Sequence, residues 1–508
     1  MKIQKVFRSL IVQASMLAML FTGLCAIPSR SYMIDSLPKI DNITLPGAYG
    51  VTNNTVFVFD RYAIVAPFGP SGDIGDGGDL SKLDNNLIYL FDTKRPDSSP
   101  KIGNLNNCYF PTKIYYDAGT ETVFVRGTEY VQVVPSQYES REVLVHIRLN
   151  LDATGKPAFD PDGAVPIRIK GRDSDYTEDA PIDFALGHGG NILVFTNGSL
   201  IFTYDVLKGD FYPVVIDLNP ENVISYLDID ESNTLTVATS RRIEGREGEV
   251  KYTSDLYFYN LGKEGAVNLI RHLSPESFGE GIFLSAGSNA VVSWDPNTGA
   301  VEYGYFMTND GSLCQVDLKN RDARSVIERI ALLPEFAQSG DAEPGPVSVK
   351  FDRAKKLVTI VKQGGFSKIR RPTFVERSGR IRRPTFTQFD SPAVIGLVQL
   401  SKKNRVVGQR VFDKLFGKEY RISNLVSGQG AVGLVSTYSG LVFAVDSSVS
   451  LDRASVNFIG ELGPRIDYIA YNPSRQSLMA ISSYRLDEEN QTLTPGSVLF
   501  AKIPLSSD

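Results

Sequence analysis

One short pattern recurs along nearly the whole chain. An apolar strand leads into a turn of Asp, Asn, Gly or Ser, then a second strand, a third that often ends in Asp or Asn, and a more variable fourth. One copy reads Val223-Ile-Ser-Tyr-Leu-Asp-Ile-Asp-Glu-Ser-Asn-Thr-Leu-Thr-Val-Ala and continues at Asp255-Leu-Tyr-Phe-Tyr-Asn260. Another reads Ala290-Val-Val-Ser-Trp-Asp-Pro-Asn-Thr-Gly-Ala-Val-Glu-Tyr-Gly-Tyr. The last runs Ile466-Asp-Tyr-Ile-Ala-Tyr-Asn-Pro-Ser-Arg-Gln-Ser-Leu-Met-Ala-Ile and resumes at Ser497-Val-Leu-Phe-Ala-Lys-Ile. Second strands aligned this way start near Ala63, Thr122, Ile192, Leu235, Val301, Leu357, Ala431 and Ser477, a spacing of about 60 residues.

Eight four-stranded meanders in series predict an all-β fold, a single β-propeller of eight blades. Seven blades are also allowed, because the first unit is the least regular, and a pair of β-sandwiches is the alternative architecture. After Ile503 the last unit has no room for a fourth strand. Residues 39–45 are expected to supply it, so that an N-terminal strand closes the ring and covers an open sheet edge. Composition agrees. Gly 44 and Pro 27 against six Met and one Trp fit a turn-rich β protein better than a helical bundle. The best helical candidate is the short segment 323–333.

The chain resembles generic β-propeller repeat proteins over nearly all of its length after residue 27. By strand rhythm it is closest to the lactonase-like and YncE-like group. The resemblance implies architecture and carries no catalytic residues across. Trp294-Asp295 is the sole Trp-Asp pair and sits in a hairpin, so the WD40 repeat motif is a poor match. Glycine pairs at Gly77-Gly78, Gly189-Gly190 and Gly364-Gly365 lack the repeat placement of kelch blades, and a single Trp satisfies neither sialidase Asp-boxes nor the recurrent Trp docking of quinoprotein propellers.

Residues 1–26 read as a signal peptide or an uncleaved anchor. Lys2, Lys5 and Arg8 precede an apolar run from Leu10 to Ile27, the arrangement a secretory translocon recognises. Export to a periplasmic, cell-surface or secreted location is therefore expected, with membrane contact only through an uncleaved leader. The formal net charge is −5, and loss of the leader takes it to about −8. Such a balance argues against a double-stranded nucleic acid partner. Cys108 and Cys314, more than two hundred residues apart, read as buried hydrophobes rather than a disulfide.

Within the domain 27–508 the spacing of the units is irregular because five second-to-third-strand connections are long: 68–86, 127–142, 241–253, 364–391 and 486–495. In a propeller all five open on one face, where a rigid scaffold presents recognition loops. Insert 364–391 carries Ile369-Arg-Arg-Pro-Thr-Phe374 repeated as Ile381-Arg-Arg-Pro-Thr-Phe386. Arg370, Arg371, Phe374, Arg382, Arg383 and Phe386 are its candidate binding residues. As a hairpin arm it suits another protein, an anionic glycan or a lipid surface, since guanidinium forks match carboxylates and phosphates. In insert 68–86, Asp73, Asp76 and Asp79 between glycines form a candidate calcium loop, although Asp/Gly runs are also the commonest plain turns. No other cofactor is implied.

Enzyme signatures are sparse. His146, His188 and His272 are the only histidines and fall mid-strand, in a hairpin turn and on an outer strand, which excludes a multi-histidine copper centre and disfavours a His-centred triad. Candidate channel residues are Lys113, Asp183, Arg421 and Asp467, with Lys350 nearby. The sequence thus predicts a binding or assembly scaffold that uses its insert-bearing face, with no catalytic residue assigned. Its alternatives are a carboxylate-based hydrolase of lactonase or glycosidase type at the channel mouth, using Asp183 and Asp467, and a calcium-dependent carbohydrate binder.

Overall fold

The computed structural model describes most residues between 41 and 503; stretches outside the description include 1–40, 69–85, 168–182, 320–326, 339–346, 367–373 and 414–421. Contacts divide the chain into Met1–Ser36, wholly outside the description, and Leu37–Asp508. The second unit is an eight-bladed β-propeller. Innermost strands of the successive blades are Val56–Val58, Tyr109–Asp117, Phe184–Gly187, Val223–Ile229, Ala290–Trp294, Val347–Asp352, Ile422–Ser427 and Ile466–Asn472. Second strands are Tyr62–Val65, Thr122–Val134, Ile192–Asn197, Thr234–Glu244, Val301–Met307, Leu357–Lys362, Val432–Thr437 and Ser477–Ser482, each starting within a residue of its expected position.

Ring closure follows the expected route. Blade eight takes its outermost strand from Asp41–Thr44, antiparallel to Ser497–Lys502 with Asp41 opposite Phe500 and Thr44 opposite Ser497. The described part of segment 323–333 is not helical: Ile327–Leu332 forms the outermost strand of blade five, paired with Ser312–Asp317, and a short 3-10 turn follows at Pro334–Phe336. The free edge of Ser312–Asp317 offers a full ladder of backbone bonds, which outweighs the weak local preference for helix.

Why the middle strands are apolar on both sides is a matter of layering. Each blade packs its two faces against two neighbours, so alternation between faces does not separate core from solvent. Tyr62–Val65 is buried at all four positions, and in Leu357–Lys362 only Thr359 is partly exposed. Outermost strands alternate more openly, as Val406–Phe412 does. Hydrophobic clusters consequently sit between blades. Phe124 and Leu144 of blade two meet Phe184, Leu193 and Phe202 of blade three. Across the closure, Ala470, Met479, Ile481 and Phe500 meet Ala63, Val65 and Phe91. Each such large side chain contributes about 1.5–3 kcal/mol of burial. Cys108 and Cys314 are free and buried in two of these clusters, and burial raises both thiols, Cys314 to about 11.

Polar turns lock adjacent blades as well. Asp117, at the end of the innermost strand of blade two, accepts from Gly119 N and Thr120 N at 2.9 Å each and also from the Thr120 hydroxyl. Its carboxylate lies against Gly190 in the corresponding turn of blade three, where an added Cβ would fall 1.8 Å from Asp117 Oδ1 with φ at 91°. Gly189, at φ 68°, faces open space. Gly190→Ala is therefore expected to lower stability by about 3 kcal/mol, from overpacking added to left-handed strain, and Gly189→Ala by about 1 kcal/mol from strain alone. Urea unfolding midpoints of the two variants check this ordering.

Candidate functional site

Polar side chains converge where the innermost strands surround the axis. From blade two, Lys113 Nζ reaches Asp183 Oδ1 (2.5 Å) and Phe184 O (2.8 Å) in blade three. Both partners of this ion pair are about a quarter exposed, with side-chain accessibilities of 23% and 27%, so solvent screening leaves it a modest tie. The Lys113 ammonium also lies 5.2 Å from the Phe184 ring centroid. Tyr115, two residues further along the strand, places its hydroxyl 3.5 Å from Asp228 Oδ1 in blade four. Blades two and four are not neighbours, so this contact crosses the end of blade three's innermost strand at the axis. Tyr226 donates to Asp228 Oδ2 at 3.0 Å.

Burial among protein groups raises the Asp228 carboxyl above the ordinary carboxylate range, against the Tyr226 hydrogen bond and the Lys113 charge that favour ionisation. Burial likewise raises Tyr115, Tyr226 and Tyr468. On the far side, Asn289 clamps blade five to blade six, donating to Val349 O (2.8 Å) and accepting from Val349 N (2.6 Å). Lys350 follows directly, and burial pushes its ammonium down to about 8. Asp183 Oδ1 already accepts from Lys113 and from Phe184 N (2.8 Å), so that oxygen is engaged as a structural tie.

The sequence placed Lys113 and Asp183 in the channel, and the structure brings them together. Asp467 lies on the innermost strand of blade eight, where the register shifts between Ile466 and Tyr468. Arg421 lies outside the described residues. Asp228, Tyr115 and Tyr226 were missed. The one signal available was the Tyr226-Leu-Asp228 alternation on an inner strand, where a polar residue every second position points one way. The three histidines occupy their expected places. His188 Nε2 donates to Leu261 O (2.6 Å), while His272 Nε2 contacts Asp255 Oδ1 (2.8 Å) with its ring stacked on Tyr257 at 4.2 Å. Both rings act as fasteners, His272 inside blade four and His188 between blades three and four. A cleft of about 640 Å³ opens beside His188, with Asp230 and Lys263 on its walls.

The long connections have a defined topology. A second-to-third-strand link leaves each blade at the end where the next innermost strand begins, so all five inserts share one face. Asp183 and Asn289, each one residue before an innermost strand, stand at that end of the channel. In blades two and four the inserts are extended ribbons: Thr122–Val134 runs directly into Gln137–Leu151, and Thr234–Glu244 pairs with Val250–Leu261 over its whole length. Val133 is 60% exposed at the first tip, and Tyr252 on the second ribbon packs on Phe283 at 6.1 Å. Blade six's insert forms two short ladders, Gly365–Phe366 with Phe389–Ser391 and Phe374–Val375 with Ile381–Arg382. Phe374 stands opposite Arg382, so the end of the first six-residue copy pairs with the start of the second. Arg370, Arg371, Arg383 and Phe386 lie outside the described residues, as do Asp73, Asp76 and Asp79. Among the described residues no helix is long and apolar enough to cross a membrane.

No protein-family model matches the chain, and no curated protein matches it in sequence. Solved structures do match in fold. Sqt1 from Saccharomyces cerevisiae superposes with a TM-score of 0.50 at 10% identity, covering 92% of this chain and 100% of that one. Sqt1 from Chaetomium thermophilum gives 0.51 at 12% identity over 91% and 100%. The WD40 repeats of RRP9 give 0.39 at 10% identity over 77% and 94%. The Sqt1 likenesses, at such identities, show the propeller fold.

Two substitutions test the channel electrostatics. Asp228 has a raised folded pKa, so its contribution is present at low pH and is lost as pH climbs through that value. Asp228→Asn should therefore match the wild type near pH 4 and exceed its melting temperature as pH rises above the ordinary carboxylate range. Lys350 has a folded pKa lowered to about 8, so wild-type stability should rise with pH from there to about 10, the unfolded value. Lys350→Met should remove that alkaline rise. Thermal unfolding across a pH series reads both.

Proposed function

We propose that this propeller is an exported binding or assembly scaffold whose contact surface is the insert-bearing face, with insert 364–391 as its principal arm. One observation carries the reading: five of the eight blades lengthen the same connection, and these connections share one face of a rigid ring. Long connections gathered on one face of a fixed scaffold are the usual form of a recognition surface. The likeness to the Sqt1 propellers, which is one of fold, is consistent with a binding or assembly scaffold. Arginine forks with Phe374 and Phe386 in the arm suit a partner that offers carboxylates or other anions. Export rests on the basic and apolar N-terminal run.

The test compares the full chain with a variant in which 364–391 is replaced by a short Gly/Ser turn, both immobilised in native envelope extract. The intact chain is expected to retain one partner at least about tenfold better than the variant, with retention falling as salt is raised. Equal capture by both proteins, or by neither, while both melt cooperatively, would overturn the role given to the arm.

A further inference from the structure

On the face opposite the inserts, the turns of blade six differ from their counterparts in charge and hardly in geometry. The turn after its innermost strand, Asp352-Arg-Ala-Lys-Lys356, holds Lys356 at φ 53°. The same position is Glu121 at 52° in blade two, Asn233 at 59° in blade four and Gln476 at 50° in blade eight. The turn after its third strand, Ser401-Lys-Lys-Asn-Arg405, is closed by Ser401 N to Arg405 O (2.8 Å) and Asn404 N to Ser401 O (2.9 Å). Equivalent bonds close 152–156 in blade two and 262–266 in blade four. In blades two and four these turns (117–121, 152–156, 230–234 and 262–266) contain six acids and two bases; in blade six they contain six bases and one acid. Turn geometry accepts either sign, so the folding of the turn does not explain the concentration of positive charge.

The two basic turns are also fixed side by side. Leu400 N donates to Lys356 O (2.8 Å), Gln399 Nε2 to Lys355 O (2.5 Å), and Lys356 Nζ to Asn404 Oδ1 (3.4 Å). Lys402, Lys403 and Arg405 are exposed, and among the described residues their side chains have no ion-pair or hydrogen-bond partner. Val407, two residues past Arg405 on the outer rim, is 64% exposed.

We infer that these paired turns are a contact surface for anionic lipid headgroups. Arg353 pairs with Glu231 (3.6 Å) and Lys356 with Glu302 (3.8 Å), so the surface rests on Lys355, Lys402, Lys403 and Arg405. Three of these are lysines, hydrated point charges suited to a diffuse negative surface rather than to bidentate recognition. They sit on hairpin tips, which meet a flat layer readily; an acidic peptide needs a groove or a strand edge to lie along. Val407 beside them supplies a small apolar contact of the kind that interfacial proteins place among bases. Because these turns open away from the inserts, lipid contact here leaves the insert face free. The inference does not depend on what that face binds.

Vesicle flotation with the full chain tests it, using phosphatidylcholine vesicles with and without about 30% phosphatidylglycerol. All proteins compared carry the same N-terminal run, so its contribution cancels. The wild type is expected to partition at least about tenfold better onto the anionic vesicles in low salt, and to lose that preference in about 0.5 M salt. Lys402→Gln/Lys403→Gln is expected to lower the anionic partition about 25-fold, at roughly fivefold per lysine, while Lys263→Gln in the blade-four turn changes it less than about twofold. Equal uptake by neutral and anionic vesicles overturns the inference, and so does wild-type partition by the double variant. Binding to soluble polyglutamate with no vesicle preference overturns it in favour of an acidic polypeptide. Melting curves matching the wild type confirm that the variants are folded.

Discussion

Pairing of Asp41–Thr44 with Ser497–Phe500 joins the two ends of the chain in one sheet, and the remaining blades depend on it. A ring of sheets buries both faces of every blade only while it is closed. If it opens, blades eight and one each lose a neighbour, and the cluster that joins Met479, Ile481 and Phe500 to Ala63, Val65 and Phe91 meets water. The strand edge of Ser497–Lys502 would also be left as a template for another chain. A strand of four residues thus couples the local stability of the last blade to the integrity of the whole ring.

Closure has an electrostatic consequence at the axis. Innermost strands converge there, and protein groups enclose Asp228 and Lys350. Asp228 consequently leans toward its neutral form in spite of the Tyr226 hydrogen bond, and Lys350 is pushed toward neutrality. Lys113 and Asp183 resolve the same difficulty by pairing with one another across two blades. Proximity across the ring, rather than any motif, assembles this set.

The two faces then diverge because of where each strand connection emerges. Second-to-third-strand links carry the ribbons of blades two and four and the arginine-rich arm of blade six. First-to-second and third-to-fourth links are tight turns, stabilised by Asp and Asn side chains that cap their own backbones, as Asp230 does for Ser232 and Thr234. Tight turns tolerate little length change but almost any surface charge. Blade six uses that freedom to gather cations, while the corresponding turns of blades two and four remain acidic or neutral.

Much of the architecture was legible beforehand, since alternation, turn residues and the missing last strand are local or additive signals. The second-strand starts and the N-terminal closing strand could be read from them directly. Strand Ile327–Leu332 could not, because it depends on a ladder offered by residues 312–317, and local preference does not register a neighbour's open edge. Likewise, Lys113 and Asp183 were visible as inner-strand charges, but Asp228 came into view only with Tyr115 beside it from a sequence separation of 113 residues. The sequence by itself determined that the chain forms repeated four-stranded sheets with long links on one side, because strand periodicity and turn chemistry are properties of adjacent residues. Tertiary structure alone decided which polar groups meet at the axis and which charged turns stand side by side, because those encounters follow from ring closure between segments that share no local order.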